Sequence, residues 1–134
     1  MIIGSIKEDL TLEKRVSITP DTAKNIINLG LKIIIEKNYA SHIGIKDKEY
    51  EEVGVEIKDS LKEVLDNCNL LTKVNCPSDD EISNLKDKII LIGMLNPSKN
   101  QSKIKNIIKK NINIFSLELL PRISRAQSMD VLSS

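Results

Sequence analysis

Apolar residues in this chain fall in short blocks that alternate between two periods. Met1 to Ile6 is a strand-like run, and Leu31 to Ile35 is a continuous β-branched run of the kind buried on both sides of a sheet. Leu70 to Val74, Lys88 to Leu95 and Ile112 to Leu119 repeat that pattern. Between these runs the apolar spacing changes to three and four. Thr19-Pro20 opens a helix whose Ala23, Ile26 and Ile27 share one face, and Gly30 ends it. Asp47 to Val53 reads as a short helix ahead of a strand at Val55-Glu56-Ile57. Three capping patterns, at Ser60 to Glu63, Ser78 to Glu81 and Ser98 to Gln101, each stand before apolar residues at helical spacing. These are Leu61, Val64, Leu65 and Cys68 in the first, Ile82 and Leu85 in the second, and Ile104, Ile107 and Ile108 in the third.

Strands alternating with helices predict parallel pairing through right-handed crossovers. The expected fold is α/β: an open, mainly parallel sheet of five or six strands, Rossmann-like or flavodoxin-like, with helices on both faces. No repeat or linker interrupts residues 1–134, which are expected to form one domain.

Composition then removes several function classes. Twenty basic side chains against 19 acidic ones leave no cationic surplus for a polyanion, so no nucleic-acid partner is expected. No apolar run reaches the ~18 residues of a bilayer span, and the start of the chain lacks a signal-peptide pattern, so a soluble cytoplasmic protein is expected. The two cysteines, Cys68 and Cys76, form no CxxC pair, and His42 is the single histidine; spacing therefore assembles no metal site. Both cysteines are expected as buried thiols and His42 as a loop residue. Lys103, Lys105, Lys109 and Lys110 read as the solvated face of a helix.

Proline placement points to a site. Cys76-Pro77, Asn96-Pro97 and Leu120-Pro121 each stand where a strand is expected to finish, and in open parallel sheets ligands lie outside those carboxyl ends. That edge would gather Asn75, Asn96 and Arg122, joined by Arg15 from the loop after the first strand. Amides and guanidinium ions orient a ligand but take up no proton at neutral pH, so no catalytic acid or base is assigned. Five glycines without a G-x-G exclude the usual dinucleotide phosphate loop from these residues.

Past Pro121, Ser124 to Gln127 reads as the start of a further helix, with Gln127, Asp130 and Ser133 sweeping a polar arc of about 120°. PRISRAQSMDVLSS, residues 121–134, closely resembles the segment that joins the two halves of the NAD(H)-binding component of proton-translocating NAD(P) transhydrogenase. The opening MIIGSIKEDLTLEKRVSITPDTAKNIINLG is similar to that of the wider family that transhydrogenase shares with alanine dehydrogenase, and LLTKVNCPSDDEI and LIGMLNPSKNQ are similar to its later strand ends.

The resemblance implies contacts to the nicotinamide end of NAD(H) from Arg122, Gln127, Asp130 and Ser133, with NADP(H) on a partner component. It implies that residues 1–134 are an incomplete first domain, whose nucleotide-binding half and a returning segment lie outside them. It also implies partners: the rest of the alpha subunit, the membrane and NADP(H)-binding subunits, and a homodimer, peripheral to the inner membrane. On the same basis the isolated chain is expected to be inactive. Alanine dehydrogenases carry a substrate-binding Lys at the position of Asn75 and a catalytic His at that of Asn96, so the chain departs from them at both. Other readings stay open: an alanine-dehydrogenase-like oxidoreductase, or a truncated non-catalytic remnant or interaction domain. Gln127 could equally close a capping box on Ser124, and Asp130 could serve the helix dipole.

Overall fold

In a computed structural model of the chain, residues 1–96 and 98–116 are described. The elements in chain order are β1 (Ile2–Ser5), α1 (Pro20–Asn28), β2 (Lys32–Glu36), α2 (Asp47–Glu52), β3 (Glu56–Lys58) and α3 (Leu61–Asn67). They continue with β4 (Leu70–Asn75), α4 (Asp79–Ser83), β5 (Ile90–Met94), α5 (Gln101–Lys109) and β6 (Asn113–Ser116). All pairings are parallel, and the strand order is β3-β2-β1-β4-β5-β6. The expected α/β parallel sheet is therefore present with six strands, in the doubly wound order whose direction of growth reverses between β1 and β4.

Two apolar layers sandwich the sheet. Ile3, Ile33 and Ile35 face Ala23 of α1 and Tyr50 of α2, together with Tyr39 from the β2–α2 connection. On the opposite face Ile34, Leu71 and Leu91 pack with Val64 and Leu65 of α3, Ile82 of α4 and Ile107 of α5. The strands are short and buried on both faces, which is why their sequence pattern is continuous instead of alternating. The coverage is uneven. α1 and α2 lie over β1 to β3, but no described element lies over the same face of β4 to β6. There Thr72, Val74 and Ile92 are half-exposed, Met94 is 43% exposed and Phe115 59%.

Several expected boundaries change. Helix α5 starts from Asn100 and not Ser98, and Asn100 Nδ2 donates to Leu95 O at 2.8 Å, tying the helix start back to β5. Ser60 Oγ does accept from Glu63 N, but Glu63 turns its carboxylate to Asp59 N, so the reciprocal box at α3 stays open. At α4 both halves of the box close between Ser78 and Glu81. Ile108 shares the helical spacing of Ile104 and Ile107 yet is 61% exposed, because α5 meets the core along a single narrow seam. Lys110 does not belong to the wet face: its ammonium donates to Ile82 O and Ser83 O at 2.9 Å each, satisfying carbonyls at the end of α4. Leu85 is buried just beyond α4. Cys68 is fully buried as expected, whereas Cys76 is only half-buried. His42 sits in a 3-10 turn, with Nε2 2.7 Å from Lys14 O.

Candidate functional site

The reversal of strand order leaves a crevice at the carboxyl ends of β1 and β4, and the loop after β1 runs across it. Tyr39 seats that loop. Ser5 Oγ donates to Thr72 O, so the 2.7 Å bond between Ser5 Oγ and Tyr39 Oη uses the tyrosine proton, and Tyr39 Oη accepts from Ser17 N at 3.0 Å and Ile18 N at 3.3 Å. Tyr50 Oη donates to Ile18 O at 2.8 Å, and the two rings meet edge to face with centroids 5.7 Å apart.

Beside this seat is a cleft of about 450 Å³ lined by Arg15, Val16, Ser17, Thr72, Val74, Ile92 and Met94, on the bare part of the sheet. Ser17 Oγ and Thr72 Oγ1 are shielded from solvent and have no hydrogen-bond partner among the described residues. Buried hydroxyls without partners are costly, so the cleft is shaped for a covering group that can hydrogen-bond. At its mouth Arg15 forks onto Glu13, Nε to Oε2 and Nη2 to Oε1, both at 2.8 Å. These bonds hold the Glu13 carboxyl down to about 2 and raise the Arg15 guanidinium above its ordinary value. Glu13 is therefore a permanent anion that positions Arg15, not a proton acceptor.

A second cleft, of about 270 Å³, brings Asn75 and Asn96 together with Cys76, Leu12, Asn100 and Lys103. Asn75 and Asn96 thus meet at the β4 and β5 ends as expected. Arg15 lines the neighbouring cleft instead, linked to Asn75 through Glu13, whose Oε1 accepts from Asn75 Nδ2 at 3.4 Å. Asn96 holds a left-handed backbone, φ 46°, which asparagine tolerates better than most residues. Burial raises the Cys76 thiol, against the pull of Lys103 and Lys73, so no reactive thiolate stands at this rim. Arg122, Gln127, Asp130 and Ser133, with Leu120-Pro121 and the expected helix start at Ser124, lie outside the described residues.

Sequence reasoning missed Glu8, Glu13 and Lys73. Lys73 is 4% and Glu8 5% exposed, and their charged groups are 3.6 Å apart. Lys73 Nζ also donates to Glu81 Oε1 at 3.3 Å. The available signal was a lysine inside the apolar run LLTKV: a buried ammonium requires a buried partner.

Among the described residues no group of His, Cys, Asp and Glu is placed to hold a metal, and no helix is long and apolar enough to cross a membrane. The arrangement is that of a doubly wound α/β domain whose strand-end rim carries amides and a guanidinium, equipped to orient a ligand and not to exchange protons with it. Residues 4–134 match the family described as Alanine dehydrogenase/PNT, N-terminal domain, and the chain belongs to that family. Over its whole length the chain is 37% identical to the first of the separate chains that make up the NAD(P) transhydrogenase subunit alpha of Rickettsia prowazekii, and it covers 36% of that chain. It is 32% identical over 94% of its length to the alanine dehydrogenase of Methanococcus maripaludis, covering 34% of that protein. The crystal structure of transhydrogenase from Sinorhizobium meliloti superposes with a TM-score of 0.89 at 32% identity, over 99% of this chain and 40% of that one. The chain spans about a third of the length of these relatives. The resemblance carried by residues 121–134, by the opening block and by the strand ends is thereby borne out at the level of the family.

Proposed function

We propose that this chain is the N-terminal portion of the NAD(H)-binding alpha subunit of a proton-translocating NAD(P) transhydrogenase, and that it supplies one wall of the nicotinamide pocket. The observation that carries the reading is the rim itself. Asn75, Asn96 and the Arg15–Glu13 fork can align a ring and its carboxamide, while the Lys and His that an alanine-oxidising site would place at 75 and 96 are absent. The nicotinamides would supply the chemistry, direct hydride transfer, which needs no side-chain proton at that step. What this chain contributes is orientation, with Arg122, Gln127, Asp130 and Ser133 as the contacts to NAD(H).

The donor set suits one end of that cofactor. Unpartnered Ser17 and Thr72 hydroxyls and the rim amides complement a carboxamide, whereas no glycine-rich loop is available for a pyrophosphate. The nucleotide half and the NADP(H) site therefore belong to the remaining portion of the alpha subunit and to partner subunits, in an assembly that is a homodimer held at the cytoplasmic side of the inner membrane. The bare face of β4 to β6 supports this division, since parallel sheets are stable with both faces covered. An alanine-dehydrogenase-like activity is the second reading, favoured by the 32% identity to such an enzyme and opposed by Asn75 and Asn96. A non-catalytic interaction domain is the third.

The test uses the alpha subunit assembled with its NADP(H) component. Gln127→Asn withdraws the amide by one methylene; a misplacement of about 1 Å costs on the order of 100-fold in an alignment-dependent step, against about 0.5–2 kcal/mol for one lost cap bond. Arg122→Ala should slow transfer with little change in Tm. Single-turnover hydride transfer and thermal unfolding on the same preparations separate the readings. Parental rates in both variants, or losses that follow Tm, would show that residues 122–133 are not a nicotinamide site.

A further inference from the structure

The buried charges on β4 lie behind the rim, and nothing in the proposed hydride transfer uses them. We propose that Glu8 and Lys73 are positioning residues: their ion pair clamps the end of β4 so that Asn75 and, through Glu13, the Arg15 guanidinium stand fixed at the clefts.

The clamp follows from where the ladder ends. β1 pairs with β4 as far as Ser5 opposite Thr72, and the β4–β5 register shifts between Thr72 and Asn75. The N–H groups of Val74 and Asn75 thus lie past the regular pairing with β1 and within the irregular stretch facing β5. Glu8 takes both of them, Oε2 accepting from Val74 N at 3.0 Å and Oε1 from Asn75 N at 3.2 Å. One carboxylate, brought back by the loop after β1, replaces the missing strand neighbour. Its side chain is 1% exposed, so it requires a counter-charge, and Lys73, 3% exposed, provides one. Burial pushes the Glu8 carboxyl up while Lys73 and the two N–H bonds pull it down, as expected of an ion held in place by its partners. Lys73 also reaches Glu81, which closes the cap of α4 on Ser78 N at 2.8 Å. Loop, strand and helix start are therefore locked together around Asn75, whose amide meets Glu13 and hence the Arg15 fork.

A structural role alone explains this poorly. Lys73 faces a layer of Leu71, Leu91 and Leu95, where apolar residues would pack at least as well, and buried ion pairs rarely outdo apolar replacements of similar volume. What a charged clamp adds is a single geometry for the backbone it holds.

The proposal rests on the transhydrogenase reading for its kinetic consequence but not for the clamp, and two arms separate them. In the 134-residue chain, Glu8→Gln keeps shape and one acceptor oxygen while removing the charge. Amide hydrogen exchange at Val74 and Asn75 should accelerate about tenfold or more, with Leu71 in the middle of the same strand unchanged. The double variant Glu8→Gln/Lys73→Met removes both charges at nearly constant volume; it should keep the parental Tm, show the same local acceleration, and serve if the single variant does not fold. In the assembled subunit either variant should slow single-turnover hydride transfer at saturating nucleotide by about tenfold or more, while the NADH dissociation constant stays within about twofold. Unchanged exchange at Val74 and Asn75 overturns the clamp, and accelerated exchange with a parental transfer rate overturns the positioning role. Absence of hydride transfer in the parental assembly would instead be a failure of the functional reading, and the positioning role would fall with it.

Discussion

Glu13 shows how much a single side chain in this loop owes to its neighbour. Two charge-assisted bonds from Arg15 and a third from the Arg15 backbone N–H stabilise the carboxylate, so its pKa lies near 2 in the folded chain against an ordinary value of 4.5. A depressed carboxyl stabilises the fold above its unfolded value, and that contribution is lost as pH falls from about 4.5 towards 2. The Arg15 fork should accordingly persist through the whole physiological range. Following the Glu13 carboxyl carbon by NMR should show no titration above pH 4, and Arg15→Lys, which cannot grip both oxygens in a plane, should move the titration up towards the ordinary value. Titration at the ordinary value in the parental chain would mean that Arg15 is not held by Glu13.

At the scale of elements, the approach of β5 to β4 is set by a residue with no side chain. A Cβ added at Gly93 would lie 2.3 Å from Lys73 O, and backbone cannot step aside as the end of a flexible side chain can. Gly4 is similarly crowded, with Cys68 Cβ at 2.7 Å, but there the obstacle is a side chain from α3. Gly93→Ala should therefore destabilise the chain by at least ~1–3 kcal/mol, the usual range for overpacking, and should prise β5 from the bulged end of β4 where Asn75 and Asn96 converge. Urea unfolding measures the first effect, and amide exchange along β5 the second. A variant as stable as the parent would show that the two strands stand farther apart than this register allows.

For the whole molecule, the decisive feature is division of labour. Residues 1–134 contain strand-end amides and a guanidinium for orienting a ring, but no loop to cradle phosphates, and most dinucleotide affinity comes from such a loop at a helix N-terminus. The chain by itself should therefore bind NADH only weakly, with a dissociation constant on the order of millimolar or above, about −4 kcal/mol or weaker. Isothermal calorimetry on the isolated chain checks this, and micromolar binding would mean that a nucleotide site is complete without the relatives' remaining two thirds.

Element order, the parallel sheet, the two apolar layers and the convergence of Asn75 with Asn96 were legible in the sequence. Each depends on local information: β-branched runs for the strands, capping residues at Thr19 and Ser78, and prolines just past the strand ends. Family membership was legible in the RISRAQSMD block and the opening residues. Tertiary structure alone decided the rest, because it depends on which distant groups meet. Nothing local distinguishes Glu8, which clamps β4 from 66 residues away, from the exposed Glu51, and nothing in the spacing of Ile108 marks it as solvent-facing. Lys110 looked like its neighbour Lys109 until α5 was laid beside α4. A buried charge or an exposed isoleucine is settled by the shape of the surface it lands on, and that shape exists only once the sheet has closed its order around β1 and β4.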